Sequence, residues 1–157
     1  MKTINRIISG GQTGADRSGL DWAIAHNIPH GGFCPKGRLA EDGVIPPQYR
    51  LIQTPSAEYQ ERTEANVKGS DATLIFIESH AGNGSRLTAH YCEQFNKPFM
   101  YVDPWTTVLS VKEFLEQHKP GVLNIAGSKA STAPTIYARV QEVLTAVFGP
   151  SPAEGAQ

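Results

Sequence analysis

Glycines follow the short apolar runs of this sequence at the points where helices are expected to begin, and this arrangement restricts the fold more than any other feature. Three such junctions are SGGQTGAD at residues 9–16, GNGS at 82–85 and AGSKAS at 126–131. Strands that alternate with helices pair in parallel through right-handed crossovers, and ligands then bind beyond the carboxyl ends of the strands. The three junctions are therefore expected to meet at one edge of a sheet.

The alternation predicts a doubly wound α/β fold, with a mainly parallel sheet of about six strands and helices on both faces. The predicted strands are 6–9, 29–33, 50–53, 73–77, 99–102 and 122–126, and the predicted helices are 14–26, 57–69, 85–95, 111–118 and 133–148. Ser110 and Glu113 have the spacing of a capping box before the fourth helix.

Length and charge narrow the class of protein. The 157 residues predict one domain over residues 1–148, followed by a disordered tail at 149–157 that is small, polar and rich in proline. Fourteen Lys and Arg against fifteen Asp and Glu give a net charge of −1, which argues against a nucleic-acid partner. Two cysteines, no signal-peptide pattern and no long apolar stretch predict a cytoplasmic protein with no membrane association.

The first junction is predicted to hold an anion. Ser9, Gly11 and Gly14 have the spacing of the dinucleotide fingerprint GxGxxG, but serine takes the first place and no acidic residue follows where a ribose would need one. Glycines still allow backbone to approach a ligand, and free N–H groups at a helix start attract phosphate. The alternative is a tight turn in which Thr13 and Asp16 cap the helix.

The other two junctions add candidate ligand contacts, because each could present backbone N–H groups, hydroxyls or a cation. Three such loops at the carboxyl ends of strands predict a ligand with several anionic or polar groups. From the three loops the candidate binding residues are Gly10, Gly11, Gln12, Thr13, Gly14, Asp16, Gly82, Gly84, Ser85, Thr88, Gly127, Ser128, Lys129 and Ser131.

Two further segments could contribute. Residues 33–49 contain no convincing element, and the charges Lys36, Arg38, Glu41 and Asp42 could fold over a ligand or remain solvated. Lys36 and Arg38 are taken as candidate ligand contacts. Tyr59, Arg62, Thr63 and Asn66 share one polar helix face, which is either the solvent face or a wall of the site.

Metal binding and thiol chemistry are weaker hypotheses. His80, His90 and Cys92 lack the spacing of a zinc site. Cys34 lies two residues before Lys36, but a buried, inert cysteine is the expected interpretation. We therefore predict neither a metal site nor a catalytic cofactor.

Several motifs in one order resemble the molybdenum cofactor carrier family. They are SGGQTGADRSGLDWAI, GGFCPKGRLAEDG, YQERTEANVKGSDATLIF, the KP before the fifth predicted strand, and LNIAGSKAS, and the resemblance spans residues 7–148. The carrier family is in turn similar to the circularly permuted branch of a Rossmann-like superfamily, which also includes the Lonely guy phosphoribohydrolases. The sequence departs from the family at GNGS, where a GGT-like stretch is expected, and at Lys129, where arginine is expected.

The resemblance implies a Rossmann-like fold, binding of the molybdopterin form of molybdenum cofactor, and a homo-oligomer, either dimer or tetramer. It also implies molybdoenzymes or cofactor-biosynthesis proteins as partners. The alternative is a nucleotide-binding or nucleoside-monophosphate-hydrolysing protein related to the phosphoribohydrolases.

Comparison with the phosphoribohydrolase motif favours carriage over catalysis. Arg62 stands nine residues before Asp71, as the hydrolase pattern requires, and is taken as a ligand contact. The PGGxGTxxE motif is altered, because Ser85 replaces its threonine and Thr88 its glutamate. A hydroxyl cannot replace a carboxylate as general base, and a general base typically accelerates a reaction by about 10²–10⁴-fold. We therefore expect the ligand to be released unchanged.

Overall fold

The computed structural model describes residues 4–149 of the chain. Strands and helices follow one another in this order: β1 (Arg6–Ile8), α1 (Ala15–Ala25), β2 (His30–Gly31), β3 (Phe33–Cys34), β4 (Leu39–Ala40), β5 (Gly43–Val44), β6 (Ile52–Gln53), α2 (Tyr59–Lys68), β7 (Ala72–Phe76), α3 (Asn83–Gln94), β8 (Phe99–Val102), α4 (Val108–His118), β9 (Val122–Gly127) and α5 (Ile136–Phe148).

Five parallel strands form the main sheet in the order β2-β1-β9-β7-β8. Strand β9, the last in the chain, lies at the centre between β1 and β7. A central parallel strand contacts helices on both faces of the sheet, which explains why β9 is mostly apolar.

Helices cover both faces of the sheet, which confirms the predicted doubly wound α/β fold. On one face Ile7, Leu74 and Leu123 pack with α1, α4 and α5 in the large core. On the other face Ile75 packs with Ala89 of α3, and α2 lies against α3. The helices that follow the adjacent strands β7 and β9 thus lie on opposite faces, the arrangement that opens a crevice at the carboxyl edge.

Two small ladders beside the main sheet correct the predicted strands. Residues 50–53 do not join the main sheet, since only β6 forms there and it pairs in parallel with β3. The predicted strand 29–33 divides at Gly32, which has a φ of +123° and lies so close to Ser9 that a Cβ would meet its carbonyl oxygen at 2.2 Å. Segment 33–49, for which no element was predicted, contains the antiparallel pair β4–β5.

The predicted helix starts are also corrected in detail. Helix α4 begins three residues early, so the capping box at Ser110 is wrong: Thr107 is the N-cap, and its Oγ1 accepts a hydrogen bond from Ser110 N at 3.1 Å. Helix α5 begins at Ile136 rather than at residue 133, two residues after Pro134. Helix α3 begins at Asn83, two residues before the predicted start.

Two further predictions concern the tail and the membrane. The disordered tail predicted for residues 149–157 lies, apart from Gly149, outside the described residues. Within residues 4–149, each helix is too short or too polar to cross a bilayer.

Candidate ligand-binding site

A cleft of about 440 Å³ opens at the carboxyl edge of the main sheet, between β9, α2 and α3. This volume suits one small molecule of nucleotide or cofactor size. The lining residues are Gly10, Gln12, Asp16, Tyr59, Arg62, Thr63, Asn66, Gly82, Asn83, Gly84, Ser85, Leu87, Thr88, Asn124, Ile125, Ala126, Gly127, Ser128, Lys129 and Thr132.

The structure brings most of the sequence-derived candidates to this cleft. Those that line it are Gly10, Gln12, Asp16, Arg62, Gly82, Gly84, Ser85, Thr88, Gly127, Ser128 and Lys129. Six candidates are not among the lining residues: Gly11, Thr13, Gly14, Lys36, Arg38 and Ser131. The six lie outside the lining of the cleft.

Gly14 joins the first and third loops, residues 9–14 and 128–135, through backbone contact. It is the N-cap of α1 with a φ of +82°, and a Cβ there would meet Ser128 O at 2.5 Å. The amide of Ala15 donates to the same Ser128 oxygen at 3.1 Å. Glycine is required because any side chain would separate the two loops.

Three backbone amides of the first loop are already used inside the protein. Gly11 N donates to Ser9 Oγ, Gln12 N to Asp16 Oδ2, and Thr13 N to Gln12 Oε1. With Ala15 N also bonded, the start of α1 offers few free donors. The first loop therefore shapes the cleft more than it supplies anion-binding N–H groups.

The first turn of α3 offers the free donors instead. The amides of Asn83, Gly84 and Ser85 make no hydrogen bond within residues 4–149, and all three residues line the cleft. Such amides at a helix start, reinforced by the helix dipole, bind anions. Lys129 lies across the cleft in the third loop, so a cation and a helix start face the same space.

Asp16 and Arg62 form an ion pair in the wall of the cleft. Arg62 Nη1 lies 3.5 Å from Asp16 Oδ2 and donates to Gly10 O at 2.9 Å. Burial raises the pKa of Asp16 to about 6, although Arg62 and the Gln12 amide oppose the shift. Above this pKa the side chains of Arg62, Lys129 and Asp16 give the cleft one net positive charge, which suits an anionic ligand.

The polar face of α2 is a wall of the cleft and not a solvent face, since Tyr59, Arg62, Thr63 and Asn66 all line it. Asn66 is buried, and its amide is paired with Phe33, accepting from the Phe33 N–H at 2.8 Å and donating to the carbonyl at 3.0 Å. Asn66 therefore fixes the wall in place, while Arg62 stacks over the Tyr59 ring at 5.2 Å and supplies charge.

A carboxylate from segment 33–49 ties the first and third loops together. Glu41 accepts hydrogen bonds from the Thr13 hydroxyl, from Ser131 N at 3.1 Å and from Ser131 Oγ at 2.5 Å. Its own amide donates to Gln12 Oε1 at 2.9 Å. These hydrogen bonds lower the pKa of Glu41, and Lys129 adds to the shift. We call this set of contacts the Glu41 clasp.

The neighbouring charges of the segment make their contacts outside the cleft. Asp42 binds Arg17 with contacts of 2.6 and 3.1 Å, and Arg17 also donates to Gly11 O. The guanidinium of Arg38 is occupied by the carbonyls of Ile45, Pro46 and Tyr49. Lys36 is exposed, so neither of the two cations predicted to reach the ligand lines the cleft.

Asn124 was not among the sequence-derived candidates, although it lines the cleft. An amide within the otherwise apolar run VLNIA was the available signal, because a buried central strand rarely carries one.

No cluster of three or more potential metal ligands occurs among residues 4–149. Both cysteines, Cys34 and Cys92, are buried, and burial raises the pKa of each thiol. A raised pKa disfavours the reactive thiolate.

Known proteins include one structure and one family similar to this chain. None of the curated proteins matches the chain. A crystal structure from Syntrophus aciditrophicus SB, of a protein named "putative molybdenum carrier protein", is similar to it, with 43% sequence identity and a TM-score of 0.89. The match covers 93% of this chain and 96% of that one. The model of the Circularly permutated YpsA SLOG family matches residues 7–148, and the chain therefore belongs to that family.

Proposed function

We propose that the protein binds a phosphate-bearing small molecule in the cleft and carries it without chemical change. The observation that carries this proposal is the set of free amides at the start of α3, which face the same cleft as Lys129 and Arg62. A helix start and two cations form the usual environment of a bound phosphate. The first loop contributes the shape of the opening, with Gln12 and Gly10 in its wall.

The proposed ligand is the molybdopterin form of molybdenum cofactor. The name of the similar Syntrophus aciditrophicus protein supports a carrier role. The cleft suits a molecule that combines a phosphate with a polar heterocycle, since charged, amide and hydroxyl groups all line it. The cofactor is cargo here, and no reaction is assigned to it.

The same proposal extends to assembly and location. We propose a homo-oligomer, either dimer or tetramer, that acts in the cytoplasm and exchanges its cargo with molybdoenzymes or cofactor-biosynthesis proteins. Size-exclusion chromatography with light scattering measures the oligomer directly, and a monomeric mass would remove that part of the proposal.

Identification of the ligand tests the proposal. The protein is purified from cells able to make the cofactor, and native mass spectrometry is combined with oxidation and pterin fluorescence. Pterin bound in stoichiometric amount supports carriage of molybdopterin, whereas adenine absorbance without pterin favours a nucleotide ligand.

Charge removal adds a matched control. Lys129→Ala deletes the cation at the cleft, while Lys112→Ala deletes an exposed cation on α4 outside the cleft. Loss of one charge-assisted contact corresponds to about tenfold weaker binding or more. Equal affinities of the two variants would move the site elsewhere.

Nucleoside-monophosphate hydrolysis is the second candidate, favoured by Asp16. A cleft carboxyl with a pKa of about 6 is in the range that suits general acid–base catalysis. Against it, Asp16 Oδ2 is engaged by Gln12 N and Arg62. Thr88, at the position of the hydrolase glutamate, donates its hydroxyl to Gly84 O at 3.0 Å.

A further inference from the structure

A buried amide lies at the floor of the cleft, in the middle of the central strand. Asn124 is 2% exposed and lines the cleft. On its own face of the sheet its register partners are Ile8 in β1 and Thr73 in β7. Its neighbours Leu123 and Ile125 alternate to the opposite face, where they belong to the large core.

Among residues 4–149, only one side of this amide has a partner. Asn124 Nδ2 donates to Thr73 Oγ1 at 3.2 Å, and Thr73 is fully buried. The other atom, Oδ1, accepts no hydrogen bond from residues 4–149. Oδ1 is not one of the fully enclosed atoms without a partner, so it borders the cleft and is available to a donor that enters it.

The position of Asn124 determines which part of a ligand reaches it. It precedes Gly127, at the end of β9, by three residues, or about 10 Å along a strand. The phosphate donors and Lys129 lie beyond that end of the strand. A phosphate monoester is mainly a dianion at neutral pH, with acceptor oxygens only, whereas the N–H of a heterocycle can donate to Oδ1.

From this arrangement we propose that Asn124 is a specificity-determining residue that accepts a hydrogen bond from an N–H group of a nitrogen heterocycle. The inference rests on the proposed function, because it requires the ligand to bind in this cleft. In the structure Nδ2 donates to Thr73, so Oδ1 is the amide atom left for the ligand. A ligand with a carbonyl oxygen at that point would set two acceptors against each other and bind less tightly.

The test separates the heterocycle from the phosphate. Asn124→Leu keeps a similar volume without an acceptor, and Asn124→Ala provides a second variant that leaves room for water. The probes are inorganic phosphate, AMP, and molybdopterin released anaerobically from a molybdoenzyme. The tighter-binding of the two organic probes to the wild-type protein serves as reporter, and circular dichroism checks each fold.

Asn124→Leu is expected to weaken reporter binding by about tenfold or more, and to leave phosphate affinity within about twofold of the wild type. Asn124→Ala is expected to lose less, because water restores part of the contact. Thr73→Val removes the hydrogen-bond partner of Nδ2 and frees the amide to rotate. The loss of reporter affinity in this variant is therefore expected to be smaller than in Asn124→Leu.

Three results would count against these proposals in distinguishable ways. Unchanged reporter affinity in both Asn124 variants overturns the inference while leaving the carrier proposal in place. So does a wild-type protein that binds neither organic probe more tightly than phosphate, because the heterocycle then contributes nothing. If the wild-type protein binds no probe at all, the proposed function fails, and the inference fails with it.

Discussion

Arg62 connects the carboxyl group of Asp16 to the backbone of the first loop. Its Nη1 atom lies 3.5 Å from Asp16 Oδ2 and 2.9 Å from Gly10 O, and both side chains are about nine-tenths buried. A Cβ on Gly10 would lie 2.0 Å from this nitrogen, so glycine is required for the contact. The ion pair therefore links the protonation state of Asp16 to the position of the first loop.

The pKa of Asp16 predicts a pH-dependent contribution to stability. Burial raises it from 3.8 to about 6 in the folded protein. A raised folded-state pKa gives stability that is fully present below the unfolded value and is lost as pH rises through about 6. Urea denaturation of the wild type and Asp16→Asn between pH 4 and pH 7 measures this. The wild type should lose stability relative to the variant over that range, and parallel pH profiles would contradict the assignment.

Removal of Arg62 should destabilise the protein more at pH 7 than at pH 4.5. Arg62→Ala leaves a buried carboxylate without its partner, a change that typically costs about 3–5 kcal/mol. At low pH the carboxyl is neutral, so the loss should be smaller. The double variant Asp16→Asn/Arg62→Ala should recover part of the stability at pH 7. Additive effects in this double-mutant cycle would mean that the pair is not coupled.

Two glycines with different surroundings provide a matched test of the loop contact. Gly14→Ala introduces a Cβ at a φ of +82° and against Ser128 O, and should destabilise the protein by about 1–3 kcal/mol. Gly84→Ala has no atom within 4 Å of its Cβ and lies in the first turn of α3, so it should be neutral or slightly stabilising. Equal denaturation midpoints for the two variants would contradict the close approach of the first and third loops.

The Glu41 clasp should control how firmly the two loops are held. Glu41→Ala removes the acceptor for Thr13 and Ser131, and should increase hydrogen exchange of amides 128–131 and the dissociation rate of the ligand. Glu113→Ala, an exposed carboxylate on α4, is the control. Since the pKa of Glu41 is lowered, the clasp is present above the ordinary glutamate pKa and is lost as pH falls through the lowered value. Exchange that matches the Glu113 variant would rule the clasp out.

The sequence predicted the alternation of elements, the parallel sheet and the convergence of the three junctions. These features depend on local periodicity and on a general rule about the edges of parallel sheets. The predicted strand 29–33 was too long because the break at Gly32 depends on Ser9, which is distant in sequence. Likewise, no local pattern shows that Ile52 pairs with Phe33 in a separate ladder.

The site was predicted incompletely from the sequence for a similar reason. The first loop resembles a phosphate-binding turn, but three of its amides donate to the side chains of Ser9, Gln12 and Asp16, which fold back on it. Arg38 looked like a ligand contact, yet its donors are used by carbonyls within its own segment. Which donors remain free is a property of the tertiary structure, and spacing along the chain does not determine it.

If the protein is a carrier, its ligand leaves chemically unchanged, and mass spectrometry of the ligand before and after binding measures this. The wild-type protein is incubated with molybdopterin under anaerobic conditions and, separately, with AMP and other nucleoside monophosphates, and is then denatured to release what it holds. Molybdopterin is expected to be recovered intact in stoichiometric amount, and no free base should form above background. Free base that forms with turnover, and that disappears in Arg62→Ala, would instead identify the protein as a hydrolase.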